Sequence, residues 1–300
     1  MSKKLVAVFG ATGAQGSSVL RALLKNGLYE VKAITRNANS DKGKKLAAIA
    51  NCTVAEADLD DKNSVDKVLK GCYGAFLVTD FSAHMKKTEV SQGVNFIDSS
   101  IANGVKHVVF SGLENVESVL HKPCYHFDYK AEVENYGLKN KDKLIFTSIR
   151  LAAYFENFEH SFLHKHKENE YFVNIPMEGK PMIGVSVDDI GEAALNVFEN
   201  PQKYKSQLLG LAGDKLLVSE YVAILNKHLA PNKFIDSQIT AQKFGALGFP
   251  GAEELSVMFE FFQSGKMIRD LESSKKLNKN ILTFDAWVVK NKEKLLAALH

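Results

Sequence analysis

Apolar positions in the first half of the chain follow two alternating rhythms. Leu5-Val6-Ala7-Val8-Phe9 is an unbroken apolar run ending at Gly10, the pattern of a strand buried on both faces of a parallel sheet. Val19, Leu20, Leu23 and Leu24 then share one helical face, and Gly27 stands beyond them as a stop signal. Further runs at 29–35, 53–57, 75–78, 107–110 and 144–149 predict strands. Between them, 64–69 packs through Val65, Val68 and Leu69, and 90–102 carries Val94, Ile97 and Ile101 at helical spacing.

Strands alternating with helices at this pitch predict an α/β fold, a doubly wound parallel-sheet Rossmann arrangement built from βαβ units. After Arg150 the rhythm breaks. Tyr154, Phe155, Phe158 and Phe162 cluster, and short irregular stretches with Pro176 and Pro181 follow. A strand-helix unit at 183–198 returns the chain to the sheet. Later segments are mainly helical: 219–228, 253–263 and 284–299, the last with Thr283 as N-cap. The expected division is a nucleotide-binding domain of residues 1–153, joined by 183–212. Residues 154–182 and 213–300 form a smaller, mainly helical C-terminal lobe for substrate or partner.

Composition narrows the class without adding chemistry. The 300 residues are 45% apolar and 24% charged, with a formal net charge of +3, ordinary for a globular protein. The paired lysines (Lys3-Lys4, Lys44-Lys45, Lys86-Lys87, Lys275-Lys276) are scattered. They form no concentrated basic stripe, so direct nucleic-acid binding is not expected. No apolar run reaches the length of a membrane span, and no signal peptide precedes the first strand. Cys52, Cys72 and Cys124 fit neither a C-x-x-C pair nor a zinc pattern. Reduced thiols, no metal site and a cytosolic location with nuclear access open are the expectations.

The first strand ends in Gly10-Ala11-Thr12-Gly13-Ala14-Gln15-Gly16, and an amphipathic helix opens inside that stretch. Gly10 lets the chain turn out of the strand, Gly13 lets the backbone approach a pyrophosphate, and Gly16 lets helix and strand pack closely. Free N–H groups at the helix start face the anion. The end of the second strand reads Thr35-Arg36-Asn37, with no carboxylate until Asp41. An arginine there can pair bidentately with a 2′-phosphate, which favours NADP(H) over NAD. Lys42, Lys44 or Lys45 could add a phosphate contact. Asp58 could accept from the adenine amino group, and Thr79 sits where the chain passes the nucleotide. Each is equally readable as a cap or turn residue.

Later blocks are more specific. Val109-Phe110-Ser111-Gly112-Leu113-Glu114-Asn115, His126-Phe127-Asp128 with Lys130, Arg150-Leu151 with Tyr154-Phe155-Glu156-Asn157, Val185-Ser186-Val187-Asp188-Asp189-Ile190-Gly191 and Leu247-Gly248-Phe249-Pro250-Gly251-Ala252 run through nearly the whole chain. With the glycine motif they resemble the NmrA-like proteins, atypical members of the short-chain dehydrogenase superfamily, and among them the HSCARG-type NADPH-sensor branch. Ala152 stands where a proline would be expected after Arg150-Leu151. The resemblance implies that Tyr154 and Asn157 join the cofactor contacts, that Lys130 hydrogen-bonds the nicotinamide ribose, and that the protein dimerises.

Hydride-transferring members of that superfamily use Tyr-x-x-x-Lys with an upstream Ser; the lysine lowers the tyrosine pKa. Lys130 fits the lysine, and Ser111, at the end of the fifth strand, is readable either as the serine or as a strand-end turn residue. Four residues before Lys130, however, stands His126. Tyr125 and Tyr129 lie in the wrong helical phase, each residue turning by about 100°. His126 could replace the tyrosine as an acid, or it could be a packed or surface histidine. Cys124 could be a reactive thiol beside the lysine or an inert one.

The expected role is therefore an NADP(H)-binding redox sensor or regulator that acts through nucleotide-dependent conformational change and protein partners. The alternative is an NADPH-dependent reductase of quinones or small carbonyl compounds, with Tyr154, Phe155 and Phe158 lining an acceptor pocket. Met258-Phe259-Glu260-Phe261-Phe262 is readable either as a dimer contact or as core of the second lobe.

Overall fold

A computed structural model describes residues 2–81 and 88–299, which leaves the Lys86-Lys87 pair outside the described residues. The strands and helices that the hydrophobic rhythm predicts are present, in order: β1 (Lys4–Phe9), α1 (Ala14–Asn26), β2 (Tyr29–Thr35), α2 (Asp41–Ala47), β3 (Cys52–Glu56), α3 (Lys62–Leu69), β4 (Gly74–Leu77), α4 (Thr88–Ala102), β5 (His107–Gly112) and β6 (Ile145–Leu151). The helix α2, with a single buried position, and the short helix Glu117–Leu120 between β5 and β6, with none, lacked an apolar signal.

The sheet order is β6-β5-β4-β1-β2-β3, with the short strand Leu208–Leu211 beyond β6. Neighbouring pairs from β3 to β6 are parallel, with Val8 opposite both Ala33 and Phe76. Strand order therefore reverses between β1 and β4. In a doubly wound sheet that switch point opens a crevice at the carboxyl ends of the strands, where ligands bind.

The chain divides into two compact units. The first holds Met1–Asn115, Tyr125–Arg150 and Asp188–Leu209; the second holds Val116–Cys124, Leu151–Val187 and Gly210–His300. These bounds differ from the expected ones chiefly in that Val116–Cys124 and all of 151–187 cluster with the second unit.

In the first unit, α1 buries Val19, Leu20 and Leu23 and stops at Gly27, whose φ of +80° suits glycine. The helix Asp189–Glu199 crosses α1 closely. A Cβ on Gly191 would lie 2.3 Å from the Ser18 carbonyl, and the Ser18 hydroxyl accepts from Gly191 N–H at 3.0 Å. That crossing explains the glycine that ends the Val185–Gly191 block. The core on the opposite face gathers Phe9, Phe96, Phe110 and Phe146, with the Phe9 and Phe96 rings edge-on at 5.0 Å.

The second unit has more strand than its sequence suggests. Met182–Val185 pairs antiparallel with Asp214–Leu216 and parallel with Ala153–Tyr154. A second small sheet pairs Glu170–Val173 with Leu163–Lys167 and Lys233–Asp236. The stretch expected to be irregular thus holds a hairpin. Its first strand, Leu163–Lys167, is almost wholly exposed and carries no apolar alternation to read. Helices complete the unit. Thr283 caps Phe284–Lys290 by accepting from Ala286 N–H, as expected, but that helix ends at Asn291 and a separate one, Lys292–Ala298, follows. No described helix is long and apolar enough to cross a membrane.

Candidate functional site

The glycine turn is built as its spacing requires. Gly10 adopts φ of +71°, and a Cβ there would sit 2.8 Å from Val78 Cγ1 at the end of β4. A Cβ on Gly16 would lie 2.2 Å from the Gly10 carbonyl, so only glycine lets α1 start this close to β1. Gly13 is the N-cap of α1, its N–H donating to the Gly10 carbonyl at 2.9 Å. No side chain caps the helix, and its first turn holds no acidic residue. The first-turn N–H groups of Ala14, Gln15 and Gly16 form an electropositive end beside the switch point. Thr12 is half-buried within the turn. This cradle fits a dinucleotide pyrophosphate, because glycine at positions 10 and 16 holds the turn and the helix start close together, and the first turn of α1 carries no carboxylate to oppose an anion.

Beyond β2, Thr35 Oγ1 accepts from Asn37 N–H at 3.3 Å. Arg36 is exposed and makes no hydrogen bond or ion pair among the described residues. Lys42, Lys44 and Lys45 follow on α2, whose N-cap Ser40 accepts from Gly43 N–H. Asp58 turns its carboxylate to the Asp60 N–H at 3.0 Å, the turn-capping geometry that was its alternative reading.

At the end of β4 the ammonium donor is fully paired. Lys130 lies on the helix Tyr125–Lys139 and is buried. Its ammonium donates to the Thr79 carbonyl and to Thr79 Oγ1, each at 2.9 Å, and forms an ion pair with Glu89. Thr79 Oγ1 in turn donates to Glu89 at 2.5 Å. Those contacts match the three hydrogens of the ammonium. Thr79 is thus a buried partner of Lys130. Glu89 was not singled out in the sequence. Its signal is a carboxylate in register with Gly93, Phe96 and Ser100 on the buried face of α4.

His126, one turn before Lys130, is half-buried, its ring centroid 5.9 Å from Phe81 and 4.9 Å from Phe127. Tyr129 also contacts Phe81 and stacks on the exposed Tyr125. No tyrosine stands one turn before Lys130. Ser111 is buried within β5, opposite Ile149 of β6. Near it, Arg150 pairs with Glu134 and lies 3.7 Å from Glu114, a cluster also missed in the sequence.

Other expected contributors lie in the second unit. Tyr154 ends the strand Ala153–Tyr154, and Asn157 sits in the 3₁₀ turn Phe155–Glu159, its carbonyl accepting from the Ser161 and Phe162 N–H groups. Phe155 and Phe158 do not line an acceptor pocket. Both are fully buried, packed on Phe284, with Trp287 beside Phe155 and Tyr221 beside Phe158. The adjacent Glu156 binds this core, accepting from Ser186 Oγ, Val187 N–H and Trp287 Nε1. Burial raises its carboxyl pKa, and those donors oppose the rise. Phe259, Phe261 and Phe262 are likewise buried, the core reading of that stretch. Cys124 is buried, its thiol 3.9 Å from the Glu254 carbonyl.

A model of the NmrA-like family matches residues 2–288. An NmrA-like family domain-containing protein of Dictyostelium discoideum is 28% identical over 273 residues, covering 87% of this chain and 88% of its own length. The NmrA-like family domain-containing oxidoreductase malD of Malbranchea aurantiaca is 33% identical over 238 residues, with 72% of this chain and 70% of its own covered. Among solved structures, the negative transcriptional regulator Nmra in complex with NADP matches with a TM-score of 0.83 at 20% identity over the whole of both chains. The NADPH-dependent quinone oxidoreductase QOR2 of Escherichia coli, complexed with NADPH, matches with a TM-score of 0.78 at 22% identity, covering 95% of this chain and 99% of that one. At such identities these two structures bear on the fold.

Proposed function

The chain belongs to the NmrA-like family, and on that premise we propose that it binds NADP(H) and acts as a nucleotide-responsive regulator of protein partners, in the manner of the HSCARG-type branch. The N–H groups of Ala14, Gln15 and Gly16 would hold the pyrophosphate, and Arg36 the 2′-phosphate. NADPH supplies a hydride when bound. The observation that carries the regulatory reading is the state of Lys130. With His126 in place of the tyrosine, and its ammonium shared between Thr79 and Glu89, the usual proton-transfer pair is missing. Partners, among them a second copy of this chain, belong to the same proposal.

A reductase is the second reading. It is favoured by the 33%-identical fungal relative named as an oxidoreductase. One experiment separates the two: incubation with NADPH and a panel of quinones and aldehydes, followed by absorbance at about 340 nm, where reduced nicotinamide absorbs. NADPH binding without turnover is the expected result. Turnover of about 1 per second or faster overturns the purely regulatory reading.

A further inference from the structure

The link from β2 into α2 is fixed at nearly every residue. Asn37 donates its N–H to Thr35 Oγ1, accepts from Asn39 N–H at 2.9 Å through Oδ1, and accepts from the Ser40 hydroxyl at 2.8 Å through its carbonyl. Ala38, at the centre, is held from two sides. Its N–H donates to Glu56 Oε1 at 2.8 Å. Its carbonyl faces Gly43, where a Cβ would lie only 2.3 Å away.

Glu56 ends β3, directly opposite Thr35 in the parallel register. It is exposed, and Arg36 next to Thr35 is exposed as well. Opposite charges on facing strand ends ordinarily pair. Here the carboxylate takes a backbone N–H, and the guanidinium is left with no partner among the described residues. We infer that Glu56 is a positioning residue for recognition of a 2′-phosphate: by binding Ala38 N–H it fixes the loop that carries Arg36 without neutralising Arg36. The inference rests on the NADP(H) reading above.

The physical gain is preorganisation. A loop already ordered loses little conformational freedom when a phosphomonoester arrives, so more of the Arg36–phosphate interaction appears as affinity. The carboxylate also repels a nearby dianion, which gives the inference an unusual signature. Removing the charge while keeping the acceptor should not weaken binding; removing the acceptor should.

The test is calorimetric titration of the full chain, and of its Glu56→Ala, Glu56→Gln and Gly43→Ala variants, with NADPH and NADH. Glu56→Ala is expected to weaken NADPH by about tenfold, the loss of about one charge-assisted hydrogen bond. NADH should stay within about twofold, because it lacks the 2′-phosphate. Glu56→Gln should bind NADPH at least as well as the unmodified chain. Gly43→Ala, which crowds Ala38 from the other side, should reproduce the Glu56→Ala loss. Equal losses for both nucleotides, no loss, or a Glu56→Gln variant as weak as Glu56→Ala overturn the inference. An unmodified chain that binds NADH as tightly as NADPH instead overturns the NADP(H) reading beneath it, before any variant is compared.

Discussion

Two regions at the carboxyl edge of the same sheet present opposite hydrogen-bonding states. At the ends of β1 and β2, no side chain caps the start of α1, and Arg36 has no partner among the described residues. At the end of β4, the donor is fully used, with Lys130 bound to Thr79 and Glu89. The difference follows from the kind of donor and its burial. Backbone N–H groups at a helix start keep their direction without being paired, and an exposed guanidinium is satisfied by water. A buried ammonium on a flexible stem has neither recourse, so the fold must supply its acceptors. The first region is organised to receive an anion. The second is organised to hold itself together.

The sharpest way to break that comparison is to remove Glu89. Glu89→Ala would leave the Lys130 charge buried and unpaired, with an expected loss of about 3–5 kcal/mol of stability by denaturant titration. Removing both charges in a Glu89→Leu/Lys130→Met variant should recover most of it, because an apolar pair of similar volume avoids the desolvation cost. A single variant as stable as the unmodified chain would show that the ion pair is not what holds β4, α4 and the Lys130 helix together.

A slightly smaller effect comes from the opposite edge of the sheet. His107 starts β5, buried, with Nε2 3.2 Å from Thr147 Oγ1 and its ring against Phe198. Burial, aided by the Lys4 charge, pushes its pKa down from 6.5 to about 4. The folded state therefore binds fewer protons than the unfolded state between these values. Stability from this group is fully present above pH 6.5 and is lost as pH falls toward 4. The loss amounts to about 3 kcal/mol over the whole window. Melting temperature against pH should show that slope in the unmodified chain and a flatter one in His107→Gln. Because His107 pairs with Gly74 at the start of β4 and Lys130 binds Thr79 beyond its other end, the slope should persist in the Glu89 variants.

What the sequence disclosed follows the same division. The glycine cradle was legible because it is local: its spacing, preceding strand and following helix lie within one short segment. Arg36 was singled out because an expected carboxylate was absent, and the structure leaves its side chain exposed. The Lys130 cluster was half legible. Lys130 and Thr79 were singled out for a ligand, whereas their partner Glu89 is distant in sequence and reads as one more polar residue on α4. Glu56 was missed for a similar reason, since its role lies in a backbone contact across strands. In the second unit, Phe155 and Phe158 were read as lining an acceptor pocket, but Phe284, far along the chain, packs on both and Trp287 on Phe155. The hairpin strand Leu163–Lys167 buries almost nothing, so it left no apolar pattern.

The smaller effects test the open region directly. Gly16→Ala forces a Cβ to within 2.2 Å of the Gly10 carbonyl, and backbone on both sides must give. A cost of about 1–3 kcal/mol in stability is expected, as for other overpacked sites, together with loss of NADPH binding as the cradle shifts. Arg36→Asp is the most selective of the series. It should leave melting unchanged, since Arg36 supports nothing in the fold, yet weaken NADPH by about tenfold or more through lost pairing and new repulsion. NADH, which lacks the 2′-phosphate, should bind as before or more tightly. An equal loss for both nucleotides would mean that Arg36 serves the turn and not the phosphate, and the contrast between an open and a closed end of the sheet would then rest on α1 alone.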